Sequence, residues 1–308
     1  MNILALVLAG GEGSRLRPLT AEHAKPALPF ANGYRIVDFV LSNLVNSGIT
    51  SIYVLAQYKP QSLIEHIRAA WGPALRGPGR FVNVVLPGAD SARGPFLGTA
   101  DAVHKNLHLC ARHAPDLVVV FAADHVYRMD VGQMVEAHVQ SQAEVSVAAA
   151  PVPVEWASHF GIIATNADGR IREFQEKPKR PAPIAERPSH AYASMGNYVF
   201  DPGALATLLD EAARRGEIDF GRHILARAST THRVFAYDYA GNRVPGILPH
   251  EEPNYWRDVG TIEAYWAAQR DASGPRPKFS LANEHWPIRA NSRSGVVERT
   301  ASAHALGL

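Results

Sequence analysis

Three stretches of the chain are apolar almost without interruption: ILALVLA at 3 to 9, SIYVLA at 51 to 56 and DLVVVFAA at 116 to 123. Apolar runs of this length read as strands buried on both faces. Between them the period changes. In RIVDFVLSNLVNSG, Ile36, Phe39, Val40 and Leu44 fall on one helical face, and Gly48 supplies a stop. Further helices are expected to begin near Pro60, Gly98 and Asp130. Strands alternating with helices predict the α/β class, with a mostly parallel sheet covered by helices on both faces.

After about residue 150 the texture shifts. FGIIATNADGRIREFQEKP reads as a hairpin joined at Ala-Asp-Gly, and SMGNYVF reads as a further strand after a proline-rich loop at 178 to 188. A smaller mixed sheet is therefore expected beside the parallel one, and a helix over 261 to 270. In open α/β sheets ligands bind at the carboxyl ends of strands, so candidate residues are sought where the apolar runs stop.

Composition narrows the function classes. In 308 residues there are 31 Lys and Arg against 29 Asp and Glu, a balance that gives no large cationic face and argues against a nucleic-acid partner. The one cysteine, Cys110, lies in GTADAVHKNLHLCAR, where positions 103, 107 and 110 recur at helical spacing, so it reads as a small core residue. No disulfide within one chain follows, which suits the cytoplasm. The apolar N-terminus lacks a preceding Lys or Arg and runs straight into a glycine-rich segment, unlike a signal peptide, and no run reaches membrane-spanning length. Fourteen histidines show no HExxH or similar spacing, which argues against zinc.

The candidate chemistry begins at GGEGSRLRPLT, residues 10 to 20. Gly10, Gly11 and Gly13 let backbone N–H groups approach an anion, while Arg15 and Lys25 add positive charge. A structural turn is the competing reading. A dinucleotide fingerprint fails because Leu16 stands at the third glycine position, and a P-loop fails for want of Gly-Lys-Ser/Thr. Asp124 ends an apolar run and either holds Mg²⁺ against a polyphosphate or caps a turn. Asp258, just before a helix, is either a second such carboxylate or a residue favoured by the helix dipole. Lys177, at the hairpin end, is either a ligand residue or simply solvated.

GGEGSRLRPLT, AKP at 24 to 26, GTADAV, ADHVY, FG at 160 to 161, EKP, ASMGNYVF, DFG at 219 to 221, YWRDVGT and the closing WPIR together resemble the sugar-1-phosphate nucleotidylyltransferases. They are most similar to the glucose-1-phosphate adenylyltransferase branch, over roughly residues 3 to 289. The resemblance implies a Rossmann-like, nucleotide-diphospho-sugar transferase fold. It also implies transfer of a nucleotidyl group from a nucleoside triphosphate to a sugar 1-phosphate, with release of pyrophosphate. Arg15, Lys25 and Asp124 would be catalytic. Gly10, Gly11, Gly13, Gln57, Gly98 and Thr99 would hold the nucleotide, Asp124 and Asp258 would bind Mg²⁺, and Lys177 would pair with the sugar phosphate. Gly161, Glu176, Ser194, Asp219 and Phe220 would surround the sugar.

Several departures from the family pattern bear on substrates and regulation. Pro87, Gly88, Ala89 and Asp90 stand where the family usually has Pro-Ala-Gln-Gln, and an accepting carboxylate suits guanine N–H groups, so ATP is favoured with GTP kept open. Glu22 and His23 replace cationic residues of an effector site, so weak or absent activation by fructose 1,6-bisphosphate is expected. The tail NSRSGVVERTASAHALGL carries no hexapeptide repeat. Residues 1–275 are therefore expected to form the catalytic domain, and 276–308 an extension left from a linker to a missing β-helix. Glucose 1-phosphate is the favoured acceptor, a cyclitol phosphate such as valienol 1-phosphate the alternative, and a non-catalytic partner subunit a reading of another class. Homo-oligomerisation stays open.

Overall fold

The structure is a computed structural model that describes residues 1–31, 33–73, 75, 77–88 and 94–289. In chain order its elements are β1 (Ile3–Ala9), β2 (Pro29–Phe30), β3 (Tyr34–Arg35), α1 (Ile36–Asn46), β4 (Ser51–Ala56), α2 (Gln61–Ala70), β5 (Phe81–Val85), α3 (Thr99–His104) and α4 (Leu107–His113). There follow β6 (Leu117–Ala122), β7 (His125–Tyr127), α5 (Val131–Gln140), β8 (Val145–Pro153), β9 (Gly161–Thr165), β10 (Ile171–Glu176) and β11 (His190–Phe200). The chain closes with α6 (Pro202–Arg215), α7 (Ala226–Thr231), β12 (Val234–Asp238), β13 (Trp256–Asp258) and α8 (Ile262–Asp271).

The continuous apolar runs are explained by two cores. Side chains alternate across a strand, so Ala5, Val7, Ile52, Val54, Val119 and Phe121 fill one face of the sheet, and Leu4, Leu6, Tyr53, Leu55, Val118 and Val120 fill the other. β1 pairs in parallel with both β4 and β6, and β4 with β5. The mixed half expected after residue 150 is present as β8 to β12. It joins the parallel half edge to edge, because β11 hydrogen-bonds antiparallel to β6, and the whole forms one nine-stranded sheet. The hairpin β9–β10 turns at 166 to 169, where Gly169 N–H bonds to the Asn166 carbonyl at 3.1 Å.

The helical spacing around Cys110 does not give one helix. The chain breaks at Lys105 and Asn106 into α3 and α4, with the Asn106 side chain donating to the Ala102 carbonyl at 2.8 Å and closing the end of α3. Cys110 is half-buried and packs against the second core face.

Two local features aim residues at the carboxyl ends of the parallel strands. β11 loses register with β8 between Ser194 and Tyr198, a bulge centred on Gly196, whose φ of 71° lies in the left-handed region. A short ribbon pairs β7 with β13 so that Asp258 stands opposite His125.

Residues beyond α8 are bound into the same body. Trp286 Nε1 donates to Asn43 Oδ1 at 3.2 Å, and Arg289 N–H donates to Ser42 Oγ at 2.9 Å. Arg128 and Glu251 form a buried ion pair at 3.1 Å, and Glu251 also accepts the Ser280 N–H at 2.7 Å. Breaking a buried pair strands the other charge. Glu251→Ala is therefore expected to cost about 3 kcal/mol, measured as a lower midpoint in urea unfolding.

Candidate active site

Two pockets open at the carboxyl ends of β1 and β6 and share a wall. The first, of about 460 Å³, is lined by Gly10, Gly11, Gly13, Arg15, Lys25, Gly98 and Thr99 among others. The second, of about 310 Å³, is lined by Gly161, Glu176, Ser194, Tyr198, Asp219, Phe220 and Trp256 among others. Arg15, Thr99 and Asp124 line both. Nucleotide-side and sugar-side residues expected from the sequence thus form adjoining compartments.

The glycine-rich turn follows β1. Gly13 has φ 66°, and a methyl group on it would sit 3.0 Å from Thr20 Cγ2 and 3.3 Å from Lys25 Cβ, so both backbone angle and space require glycine. Thr20 fixes the turn by donating to the Gly13 carbonyl at 2.8 Å. Lys25 follows in a short 3₁₀ turn, and its side chain is only 10% exposed.

Lys25 stands between the two aspartates. Its Nζ lies 3.1 Å from Asp124 Oδ2 and 3.4 Å from Asp258 Oδ1. The ribbon of β7 and β13 makes this meeting possible, since Asp258 pairs with His125, the neighbour of Asp124. Burial pushes the Asp124 carboxyl pKa up, but Lys25 and His125 beside it outweigh that, so it is held well below the usual carboxylate range. Ligand atoms of Asp124, His125 and Asp258 lie within 4.8 Å of one another, the one such cluster among the described residues. Asp124 Oδ1 is buried without a hydrogen-bond partner, although the His125 Nε2 is 3.0 Å away, while the side chain as a whole is 41% exposed.

The donor set fits a hard divalent cation: two carboxylates already drawn to one positive charge, with an unpartnered oxygen on Asp124. Arg15 lines the same pocket as Asp258. A methyl group on Gly260 would lie 3.2 Å from Arg15 Nη2 and 3.1 Å from Asp258 Oδ2, so that glycine keeps the guanidinium and the carboxylate close.

Other expected residues fall less directly. Gln57 does not line the first pocket. Its amide donates to the Phe96 carbonyl at 3.1 Å and accepts the Phe96 N–H, so it braces the segment leading to α3. Lys177 stands outside the wall of the second pocket, 58% exposed, with its Nζ 3.8 Å from Glu176 Oε1. Ala89 and Asp90, on which the choice of base was read, lie outside the described residues. Glu22 is exposed and His23 lies 3.0 Å from Ser62 Oγ, both away from the two pockets.

Sequence reasoning missed His125, Tyr198, Trp256 and Gly260. All four lie inside the motifs named above, Tyr198 as a strand residue and the others without a part of their own, and the bulge and the ribbon turn Tyr198, His125 and Trp256 toward the site. Burial pushes the Tyr198 phenol pKa upward, which keeps it neutral, and its hydroxyl meets Ser194.

Gly98 is held by its surroundings. A methyl group there would run into the Ile218 carbonyl, whose carbon is 3.0 Å from the methyl position, and backbone cannot yield as a side-chain tip can. Gly98→Ala is expected to cost about 1–3 kcal/mol, read from its thermal unfolding midpoint.

The profile described as Nucleotidyl transferase matches residues 4–273. The glucose-1-phosphate adenylyltransferase of Thermodesulfovibrio yellowstonii is 52% identical over 288 residues, covering 93% of this chain and 70% of its own length. A protein of the same name from Thermus thermophilus is 48% identical, with coverages of 94% and 71%. Another from Corynebacterium glutamicum is 45% identical, with coverages of 96% and 72%.

Proposed function

Because the chain belongs to the nucleotidyl transferase family, we propose that it transfers the adenylyl group of ATP to glucose 1-phosphate, giving ADP-glucose and pyrophosphate. The names of its relatives support both substrates. The observation that carries the reading is the pair of pockets meeting at Arg15 and Asp124. A triphosphate in one and a sugar phosphate in the other would bring two anions into contact there.

The glycine-rich turn and Gly98 form the triphosphate compartment. A phosphate oxygen of the sugar attacks the α-phosphorus, the bond from that phosphorus to the β-phosphate oxygen breaks, and pyrophosphate leaves. Arg15, beside both compartments, counters charge on the departing group. Asp124 and Asp258 would hold Mg²⁺, which when bound supplies charge neutralisation and polarisation of the α-phosphate. Lys25 keeps the two carboxylates together and holds Asp124 ionised. Lys177, at the rim, would swing its ammonium onto the sugar phosphate, while Glu176 and Asp219 would accept, and Ser194 accept or donate, hydrogen bonds with sugar hydroxyls; Phe220, 1% exposed, would back the wall from the core. The chemistry asks for alignment and charge control and no protein nucleophile.

All these groups come from one chain, so this reading needs no second copy. Residues 1–275 form the proposed catalytic unit, with the remainder an extension of it. No helix among the described residues is long and apolar enough to cross a membrane, and we place the protein in the cytoplasm. The test is incubation with ATP, glucose 1-phosphate and Mg²⁺. ADP-glucose and pyrophosphate should form one for one; no pyrophosphate from any common triphosphate with glucose 1-phosphate would refute the assignment.

A further inference from the structure

A hydroxyl group on the wall shared by the two pockets bonds to the chain that lines the sugar pocket. Thr99 lines both. Its Oγ1 donates to Asp219 Oδ2 at 3.2 Å and accepts the Phe220 N–H at 3.0 Å. The same first turn of α3 is tied to that segment again, because the Ile218 carbonyl accepts from the N–H groups of Ala100 at 2.9 Å and Asp101 at 3.3 Å. The first N–H groups of a helix have no partner inside it. Here two of them end on the sugar-side chain.

That chain is itself fixed in shape. Asp219 Oδ1 accepts the Arg222 N–H at 3.0 Å, and the backbone N–H groups of Asp219 and Ile218 point to His223 Nδ1 at 3.2 and 3.4 Å. These bonds open a π-helical turn over Phe220–Leu225, a form often met at functional sites. Gly98 lets the two backbones touch. Start of helix and start of π-turn therefore move together or not at all.

We propose that Thr99 is a positioning residue that couples the two substrate sites. A triphosphate against Gly98 and the start of α3 orders Ile218 to Phe220, and with them one wall of the sugar pocket. A sugar phosphate held at Asp219 and Phe220 orders the start of α3 in return. The ordering paid for by the first ligand is ordering the second no longer has to impose, and the effect is reciprocal by thermodynamic linkage. The inference rests on the assignment of the pockets to ATP and glucose 1-phosphate.

The test uses the whole chain with Mg²⁺, a non-reacting α,β-methylene analogue of ATP, and glucose 1-phosphate. Calorimetry gives the affinity for each ligand alone and with the other saturating, and each is expected to tighten the other by about fivefold or more. Hydrogen exchange should show the analogue alone slowing amides at 218 to 225, and glucose 1-phosphate alone slowing amides at 98 to 104. Thr99→Val keeps the side-chain shape without the hydroxyl and should bring the coupling below about twofold. Thr99→Ser should retain it. Absence of coupling in the unmodified protein, or its survival in Thr99→Val, overturns the proposal. Should the valine variant not fold, exchange in the unmodified protein decides, since protection confined to each ligand's own wall is equally fatal. Failure of the functional assignment looks different: neither ligand would bind.

Discussion

Asp124→Asn lowers turnover by about 10³-fold while the protein stays folded: this is the largest expected effect, from the loss of a charge placed where both pockets meet. Asparagine has nearly the shape of aspartate but no charge. The side chain lies 3.1 Å from Lys25 and in the cluster with His125 and Asp258, so in the proposed function its charge would act on the reacting groups and on the cation site together. The fold around it survives the change, because β6 pairs with β1 and β7 with β13 through backbone. Asp258→Asn should behave similarly. Pyrophosphate release over a range of Mg²⁺ concentrations checks both, with circular dichroism as the folding control. A rate within tenfold of the original in either variant sinks the role given to that carboxylate.

Lys25→Gln is expected to lower turnover by about 10²-fold or more and to change how the protein responds to acid. The sign follows from Asp124. Its folded pKa is depressed, so its ionisation contributes stability that is present above the unfolded carboxylate range and is lost as pH falls through the folded value. Burial acts in the opposite direction, and Lys25 is the first of the charges that overcome it. Without Lys25 the Asp124 pKa rises. The acid limb of the stability curve, measured in metal-free buffer with EDTA, should then move to higher pH. An unmoved limb would show that Lys25 is not what keeps the carboxyl ionised.

How much of this was legible in the sequence depended on how locally each feature is specified. β1 and β4 begin and end where their apolar runs do, because both faces of the central sheet are buried and each residue in the run has a core to fill. β8 was not seen: VSVAAAPVP is diluted by alanine and proline, and its place is fixed by pairing with β11 and β12. α6 was not seen either, although Leu205, Leu208, Leu209 and Ala212 share one face and Gly216 stops it. The candidate residues were found mostly through resemblance. Their meeting is not local, since Lys25 reaches across 99 positions to Asp124 and 233 to Asp258. The ribbon that brings those aspartates together has three residues in each strand, too short to display any period. Gln57 shows the converse, a polar residue in the expected place whose amide is engaged by backbone.

β6 has a parallel neighbour on one side and an antiparallel neighbour on the other. Groups assigned to the nucleotide donor follow β1 or open α3, whereas those assigned to the acceptor lie on β9, β10, β11 and the turn after α6. In the proposed function the molecule is thus a hybrid whose acceptor half could be exchanged while its donor half is kept. A chimaera exchanging residues 145–225 between relatives would inherit its choice of sugar from the graft and its choice of nucleotide from the host, as long as the graft brings an aspartate to meet Thr99.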